Sequence, residues 1–231
     1  MQSKHIVLIV SAISTCNAPL AYTPTRSAFT HSERFQQTLV TIDKVRHAIP
    51  DSFIVLIEGT PISEEWMVCL QEKVGYLHKA YEDESVLSHI HGPHKGMGEV
   101  SSILSYLNSY HFQSIQTDCL SLTKISGRYY PTSNFKWEFK ENGILCHLKK
   151  DNPHHPTGLW MSTMFYTVGH LVLNDYMDSL KECIQSIELQ EGIAFEHVLP
   201  NCFQKKNINI FVKKQFYVGG EYGPWGGYVE H

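Results

Sequence analysis

This chain has no CxxC pair, no long basic block, and no apolar run near the ~20 residues that a helix needs to span a bilayer. Each lack removes a class of function. The formal net charge is −4, and charged residues make up only 18% of 231. That balance excludes a general nucleic-acid binder and is too low for a disordered chain. Any anion recognised here is small and held by a few placed cations. The six cysteines, Cys16, Cys69, Cys119, Cys146, Cys183 and Cys202, are widely spaced and partly set inside apolar segments. They read as buried free thiols of a reducing, cytoplasmic compartment, neither a disulfide framework nor a zinc site. No GxGxxG follows the first apolar run, which disfavours a dinucleotide fold and weighs against a methyltransferase. No GxxxxGK[ST] occurs at all, which excludes a P-loop.

What is present is enough apolar bulk, 42%, to bury a real core. Ile6 to Ile13 is β-branched and reads as the first buried strand of a parallel sheet, a better account than a leader peptide. Phe35, Leu39, Ile42, Val45 and Ile49 fall on one face of a helix opened by Ser32-Glu33-Arg34 and ended by Pro50. Ser52 to Ile57 is a second strand, closing on Glu58-Gly59-Thr60-Pro61. Ser63-Glu64-Glu65 caps a helix running from Trp66 to about Val74. Tyr76 to Gly92 is irregular. Lys95-Gly96-Met97-Gly98-Glu99 leads into a helix through Tyr110. Strands follow at Leu120–Ile125, Ile144–Lys149, Met161–Val168 and Ile208–Val212. Helices follow at Leu171–Ile187 and Ile193–Phe203, the second interrupted or ended by Pro200. Asp151 to Gly158 is a Pro/His-rich loop, and Val218 to Gly227 a glycine-aromatic loop. The order starts as a doubly wound α/β unit and becomes mixed, with one continuous domain.

Chemistry gathers where strands end. Thr123-Lys124-Ile125-Ser126-Gly127-Arg128-Tyr129-Tyr130 delivers two cations and a glycine to the carboxyl end of a strand, where ligands of open α/β sheets bind. The bland alternative is an exposed edge with solvated charges. Ser11 and Glu58 end the first two strands. An acid at such a position can accept bonds from a ribose or base edge, or it can be a turn acid. Arg26 lies in a Pro-bounded loop that could fold over a ligand, and Arg34 and Arg46 lie around the first helix. Lys95-Gly96-Met97-Gly98 has the makings of an anion cradle, or of an ordinary glycine-containing loop. Glu196 beside His197 is a candidate general base or a surface acid. His89, His91 and His94 lack the helical spacing of strong zinc motifs, and they and His154-His155 read as loop histidines.

Taken in order, the motifs are more specific than any one of them. They run Arg26-Ser27-Ala28-Phe29, Glu33-Arg34-Phe35-Gln36-Gln37-Thr38-Leu39, Thr41-Ile42 to Arg46, Ile49-Pro50, the strand ending in Glu58, Lys95 to Glu99, Lys124 to Tyr129, Phe195-Glu196-His197-Val198-Leu199, and the closing glycine-aromatic loop. The set resembles a group of small bacterial and viral glycosyltransferase-like proteins of surface-polysaccharide synthesis, over most of residues 1–231. The resemblance implies a GT-A type fold: a single α/β domain with a mixed, mostly parallel sheet flanked by helices, binding a nucleotide sugar at the ends of the first strands. It makes Ser11 and Glu58 candidates for base and ribose contacts, with Arg26, Lys95, Gly96 and Gly127 around the donor. Glu196 would be the base that deprotonates an acceptor hydroxyl, with Glu191 its nearby competitor. Tyr222, Trp225 and Tyr228 could stack on a sugar ring or pack on the core.

The chain departs from the family at one point. The strand that carries an Asp-x-Asp metal motif in most members ends here in Lys124–Arg128. Fixed cations can stabilise a leaving nucleoside diphosphate as a metal would, so the expectation is a transferase with no required cofactor and no metal ligands, its divalent-metal use left open. The expected partners are a nucleotide-sugar donor and a glycan or lipid-linked acceptor, with no nucleic acid. A lipid-linked acceptor would bring the chain to a membrane surface, although no basic amphipathic helix announces it. Loss of the acid pair equally suits a non-catalytic nucleotide- or carbohydrate-binding protein on the same fold.

Overall fold

A computed structural model describes residues 4–150, 159–189, 194–221, 224 and 226–230. The Pro/His-rich loop with His154 and His155, and Glu191, Tyr222 and Trp225, lie outside the described residues.

Lys4–Ser11 (β1) is buried from Ile6 to Ser11, because it runs through the middle of a sheet covered on both faces. It pairs in parallel with Phe53–Glu58 (β2) on one side and Cys119–Ser126 (β4) on the other. Tyr76–Lys79 (β3) extends the sheet in parallel beyond β2. On the far side Leu159–Gly169 (β7) lies antiparallel between β4 and Gly143–Lys150 (β6), and Asn209–Val212 (β8) runs parallel to β6 at the edge. The seven-stranded order is β3-β2-β1-β4-β7-β6-β8. A second, three-stranded sheet joins Tyr129–Pro131 (β5), Val218–Glu221 (β9) and Tyr228–Glu230 (β10). The glycine-aromatic segment expected as loop, Val218 to Gly227, therefore begins in β9 and stops just before β10.

The period of two along β1 divides the core. Val7 and Ile9 face the helices His31–Ala48 (α1) and Glu64–Gln71 (α2), meeting Phe35, Ile42, Val45 and Leu70. Ile6, Leu8 and Val10 face the opposite layer. That layer holds Glu84–His91 (α3), Lys95–Leu107 (α4), Tyr110–Ile115 (α5), Leu173–Leu189 (α6) and Phe195–Lys205 (α7). The result is a mixed, mostly parallel α/β sheet flanked by helices, as expected. Among the described residues no helix is long and apolar enough to cross a membrane. All six cysteines are free, and burial pushes the Cys119 and Cys146 thiols up to about 12.

Local chemistry sets the boundaries. Thr30 caps α1 two residues earlier than the sequence pattern suggests, in a reciprocal capping box with Glu33. The stretch from Tyr76 to Gly92 is regular after all. It holds β3, too short to show alternation, and α3, whose N-cap Asp83 comes from an acidic run that reads as loop. The helix expected through Tyr110 breaks at Asn108, and Ser109 starts α5. Pro200 lies inside α7 and does not end it. It only removes the N–H that would meet the Glu196 carbonyl.

Two glycines of α4 let other elements approach. A Cβ on Gly96 would stand 2.5 Å from Phe195 Cβ, and one on Gly98 would stand 2.7 Å from Ile90 Cα. Glycines that suggested an anion cradle thus serve helix packing. At an ordinary helical site Gly→Ala gains about 1 kcal/mol. Overpacking against the α3 backbone costs roughly 1–3 kcal/mol, so Gly98→Ala is expected to lower the urea midpoint. An unchanged or raised midpoint would show that α3 and α4 separate freely.

Candidate active site

A cavity of about 480 Å³ opens where β1 and β4 end. The loop after β1 contributes Ala12, Thr15, Ala21, Tyr22 and Arg26. The turn after β4 contributes Ser126, Gly127 and Arg128. The N-terminal half of α4 supplies Lys95, Gly96 and Glu99, and α1 supplies Arg34 and Thr38. Trp160, Thr163 and Met164 of β7 and Phe195 and Glu196 of α7 complete the wall.

Its wall carries both cations and carboxyls. Burial pushes the Lys95 ammonium well below its usual range, and repulsion from Arg128 and Arg34 adds to it. Burial brings the Arg34 guanidinium down to about 9, again with Arg128 pushing the same way. Three cations therefore crowd one space and press on one another. Two helix ends add to the positive potential. The N-termini of α1, α2, α3 and α5 are each capped by a side chain. Those of α4 and α7, both at the cavity, have no cap from the N-cap side chain. Glu196 bonds its own N–H in the first turn of α7, so the α4 end has the N–H groups and positive dipole end better placed for an anion.

Facing this positive ground is Glu196, in the first turn of α7. Its Oε1 accepts from Thr163 Oγ1 at 3.2 Å. Burial raises its carboxyl above the usual range, and the neighbouring Glu99 raises it further. A carboxyl tuned upward in a cleft can hold or take a proton near neutral pH.

The structure brings together six of the residues singled out from sequence, Ser11, Lys95, Gly96, Gly127, Arg128 and Glu196. Ser11 Oγ also meets Thr38 Oγ1 at 3.2 Å. The Gly127 N–H bonds the Val10 carbonyl at 2.8 Å, and a Cβ there would stand 3.1 Å from Ser11 Cβ, tighter than an ordinary contact, so glycine suits the close approach of the turn to β1.

Three expectations need correction. Glu58 is 1% exposed and does not reach the cavity. Its Oε1 accepts from Ile13 N, Thr60 N and Thr60 Oγ1 at 2.9, 3.0 and 2.6 Å, tying the loop after β1 to the end of β2. Lys124 has no exposed side chain and is not in the cavity wall, because it stands two residues before the strand end and points into the core layer. Its ammonium donates to Glu99, Ser126 and the Thr163 carbonyl. Arg26 borders the cavity, but its guanidinium donates to the carbonyls of Ala18, Ile90, His91 and Gly92, clasping the loop to the end of α3. Elsewhere, His89 pairs with Ser101, and His170 with the Leu120 carbonyl.

Thr163 was missed, and Arg34 and Glu99 stood in their motifs without an assigned role. Arg34 was legible: it stands four residues before Thr38 on the inward stripe of α1, where a cation is out of place. Its Nε donates to the Ala12 carbonyl at 2.7 Å and its Nη1 to Ser27 Oγ at 3.2 Å. Glu99, four before Ile103, carries the same signal on α4. Thr163 has none, since any strand threonine looks alike.

No protein-family model matches this chain, and no curated protein sequence matches it. Among solved structures, the nucleoside-diphosphate-sugar pyrophosphorylase of Vibrio cholerae RC9 superposes with a TM-score of 0.52 over 90% of this chain and 90% of that one, at 15% identity. Two structures of the glycosyltransferase GlyE of Streptococcus pneumoniae TIGR4 give TM-scores of 0.49. The apo form is 9% identical over 90% of this chain and 45% of that one, and the other is 10% identical over 92% and 45%. The chain spans a little under half of GlyE. At such identities the likeness is one of fold.

The crowded cations imply a measurable cost. Arg128→Ala, which relieves repulsion on Lys95 and Arg34, is expected to raise Tm by about 1–4 °C in ligand-free protein. Arg26→Ala, which releases the loop carbonyls, is expected to lower it. A thermal melt in which Arg128→Ala falls as Arg26→Ala does would mean that Arg128 is a structural arginine.

Proposed function

We propose that this protein is a glycosyltransferase that moves a sugar from a nucleotide-sugar donor to an acceptor hydroxyl. The observation that carries the proposal is Glu196, with its raised pKa, facing Arg34, Lys95 and Arg128 across one cavity at the ends of β1 and β4. The diphosphate of the donor meets the three cations and the N-terminal end of α4. Glu196 takes the acceptor proton as the acceptor oxygen bonds to the anomeric carbon. The bond from that carbon to the phosphate oxygen breaks, and the cations receive the charge that develops on the leaving nucleoside diphosphate. The GT-A resemblance of the motif order agrees with this reading.

The donor set gives little support to a metal. Of the two carboxylates in the wall, Glu99 is bound by Lys124 and Glu196 by Thr163, and a divalent ion would face Arg34, Lys95 and Arg128. No step here is routed through one, and transfer is expected to survive chelation.

A second reading is a pyrophosphorylase, favoured by the near full-length fold likeness to one. Its nucleophile would be a sugar phosphate, already anionic. Such a substrate needs no base and would be repelled by Glu196, so the geometry favours transfer to a neutral hydroxyl.

The test is a panel of nucleotide sugars with glycan and lipid-linked acceptors, run beside nucleoside triphosphates with sugar 1-phosphates. The expected result is sugar transfer. Glu196→Gln should keep donor-induced thermal stabilisation and lose roughly 10²–10⁴-fold in kcat. Arg128→Ala should lose both. Pyrophosphate release from the second panel would establish the pyrophosphorylase, and stabilisation by nucleotide sugars without turnover would establish a binding protein.

A further inference from the structure

Lys124 was the first residue to attract attention in the sequence, and the cavity does not use it directly. Its burial raises a separate question. An ammonium with no exposed surface is costly unless it is paired and hydrogen-bonded on several sides. Here one acceptor is Glu99 Oε1, from a side chain 19% exposed. The second is Ser126 Oγ at 2.8 Å, and the third is the Thr163 carbonyl. The Tyr166 ring lies 5.9 Å away. The same Thr163 donates its hydroxyl to Glu196. A chain of polar contacts therefore runs Glu99, Lys124, Thr163, Glu196, from α4 through β4 and β7 to α7.

We propose that Lys124 is a positioning residue: it pairs with Glu99 beside Glu196 and, through Thr163, fixes the direction of the Glu196 carboxyl. This rests on the reading of Glu196 as the acid–base group. The two carboxyls share one cavity and interact. The other groups facing Glu196 are Lys95 from α4, Thr163 from β7 and Cys183 from α6, with Arg128 beyond Lys95 and Lys124. None of these is changed in the test.

The signs of the two single variants are opposite. In Lys124→Met a cation near Glu196 is gone, so the Glu196 titration moves to higher pH. In Glu99→Gln the anion beside Glu196 is gone, so the Glu196 titration moves to lower pH. A merely structural pair would shift both variants alike or neither.

The experiment is a side-chain ¹³C carboxyl NMR titration of the full chain, with Glu196→Gln used to assign the resonance. Shifts of at least about half a pH unit, up in Lys124→Met and down in Glu99→Gln, are expected. The acid limb of any kcat profile should follow them. Shifts of the same sign, or none, overturn the proposal whatever the activity. Should Lys124→Met fail to fold, the Glu99→Gln arm decides alone: a fall supports the proposal and no fall overturns it. Opposite shifts in a protein that transfers no sugar would leave this inference standing and remove the reading of function above.

Discussion

A lysine ammonium sits on one face of the central sheet with no water to solvate it, and much of the cavity wall is the arrangement that makes this tolerable. Its acceptors come from three elements, α4, β4 and β7. Each must arrive at hydrogen-bonding distance, since a missing partner would leave a buried charge unpaired. The constraint fixes α4 against the ends of β4 and β7, and α4 carries Lys95 and Glu99 with it. The glycines at 96 and 98 then let α7 and α3 close in. The position of Glu196 follows from that of a buried ion pair.

The second constraint is the turn between β4 and β5. Arg128 stands between the two sheets. Gly127 ties its backbone to β1, and β5 pairs with β9, whose Glu221 carbonyl lies 3.4 Å from Arg128 Nε. The small sheet formed by distant parts of the chain is thus a brace for one arginine. The aromatic tail, which resembles a stacking surface when read as sequence, contributes strand pairing: Tyr228 pairs with Glu221 in β10, and a Cβ on Gly219 would strike its hydroxyl.

The fold was legible because its signals are strong and local. The β-branched run of β1 reads as buried on both faces, and the stripe from Phe35 to Val45 has the helical period. The short elements were not, because β3 gives only four residues to judge by and α3 begins in acids that resemble a loop until Asp83 is seen as a cap. Within the site, Arg128 and Glu196 were found at the ends of elements, where sequence and space agree. Lys124 and Glu58 were misplaced for one shared reason. The sequence shows that a charged residue is near a strand end but not which side of the last buried turn it lies on. Two residues separate Lys124 from the end of β4, and that is enough to turn it into the core.

Buried and unoccupied charge then have opposite meanings in the same few ångströms. Lys124 and Arg26 have spent their donors on the protein and so stabilise it, and Arg34 has spent donors on the Ala12 carbonyl and Ser27 as well. Lys95, Arg34 and Arg128 repel one another, and two helix ends add to the same field. Glu99 and Glu196 share the cavity wall with them and offset part of that repulsion at Lys95. Glu196, held by Thr163, has its proton affinity raised by burial. The site suits a ligand that brings negative charge to the cations and a neutral partner with a proton to lose to the carboxyl. The pairing of an anionic group with a neutral hydroxyl across one cavity is what a group-transfer site for an activated, diphosphate-linked donor demands.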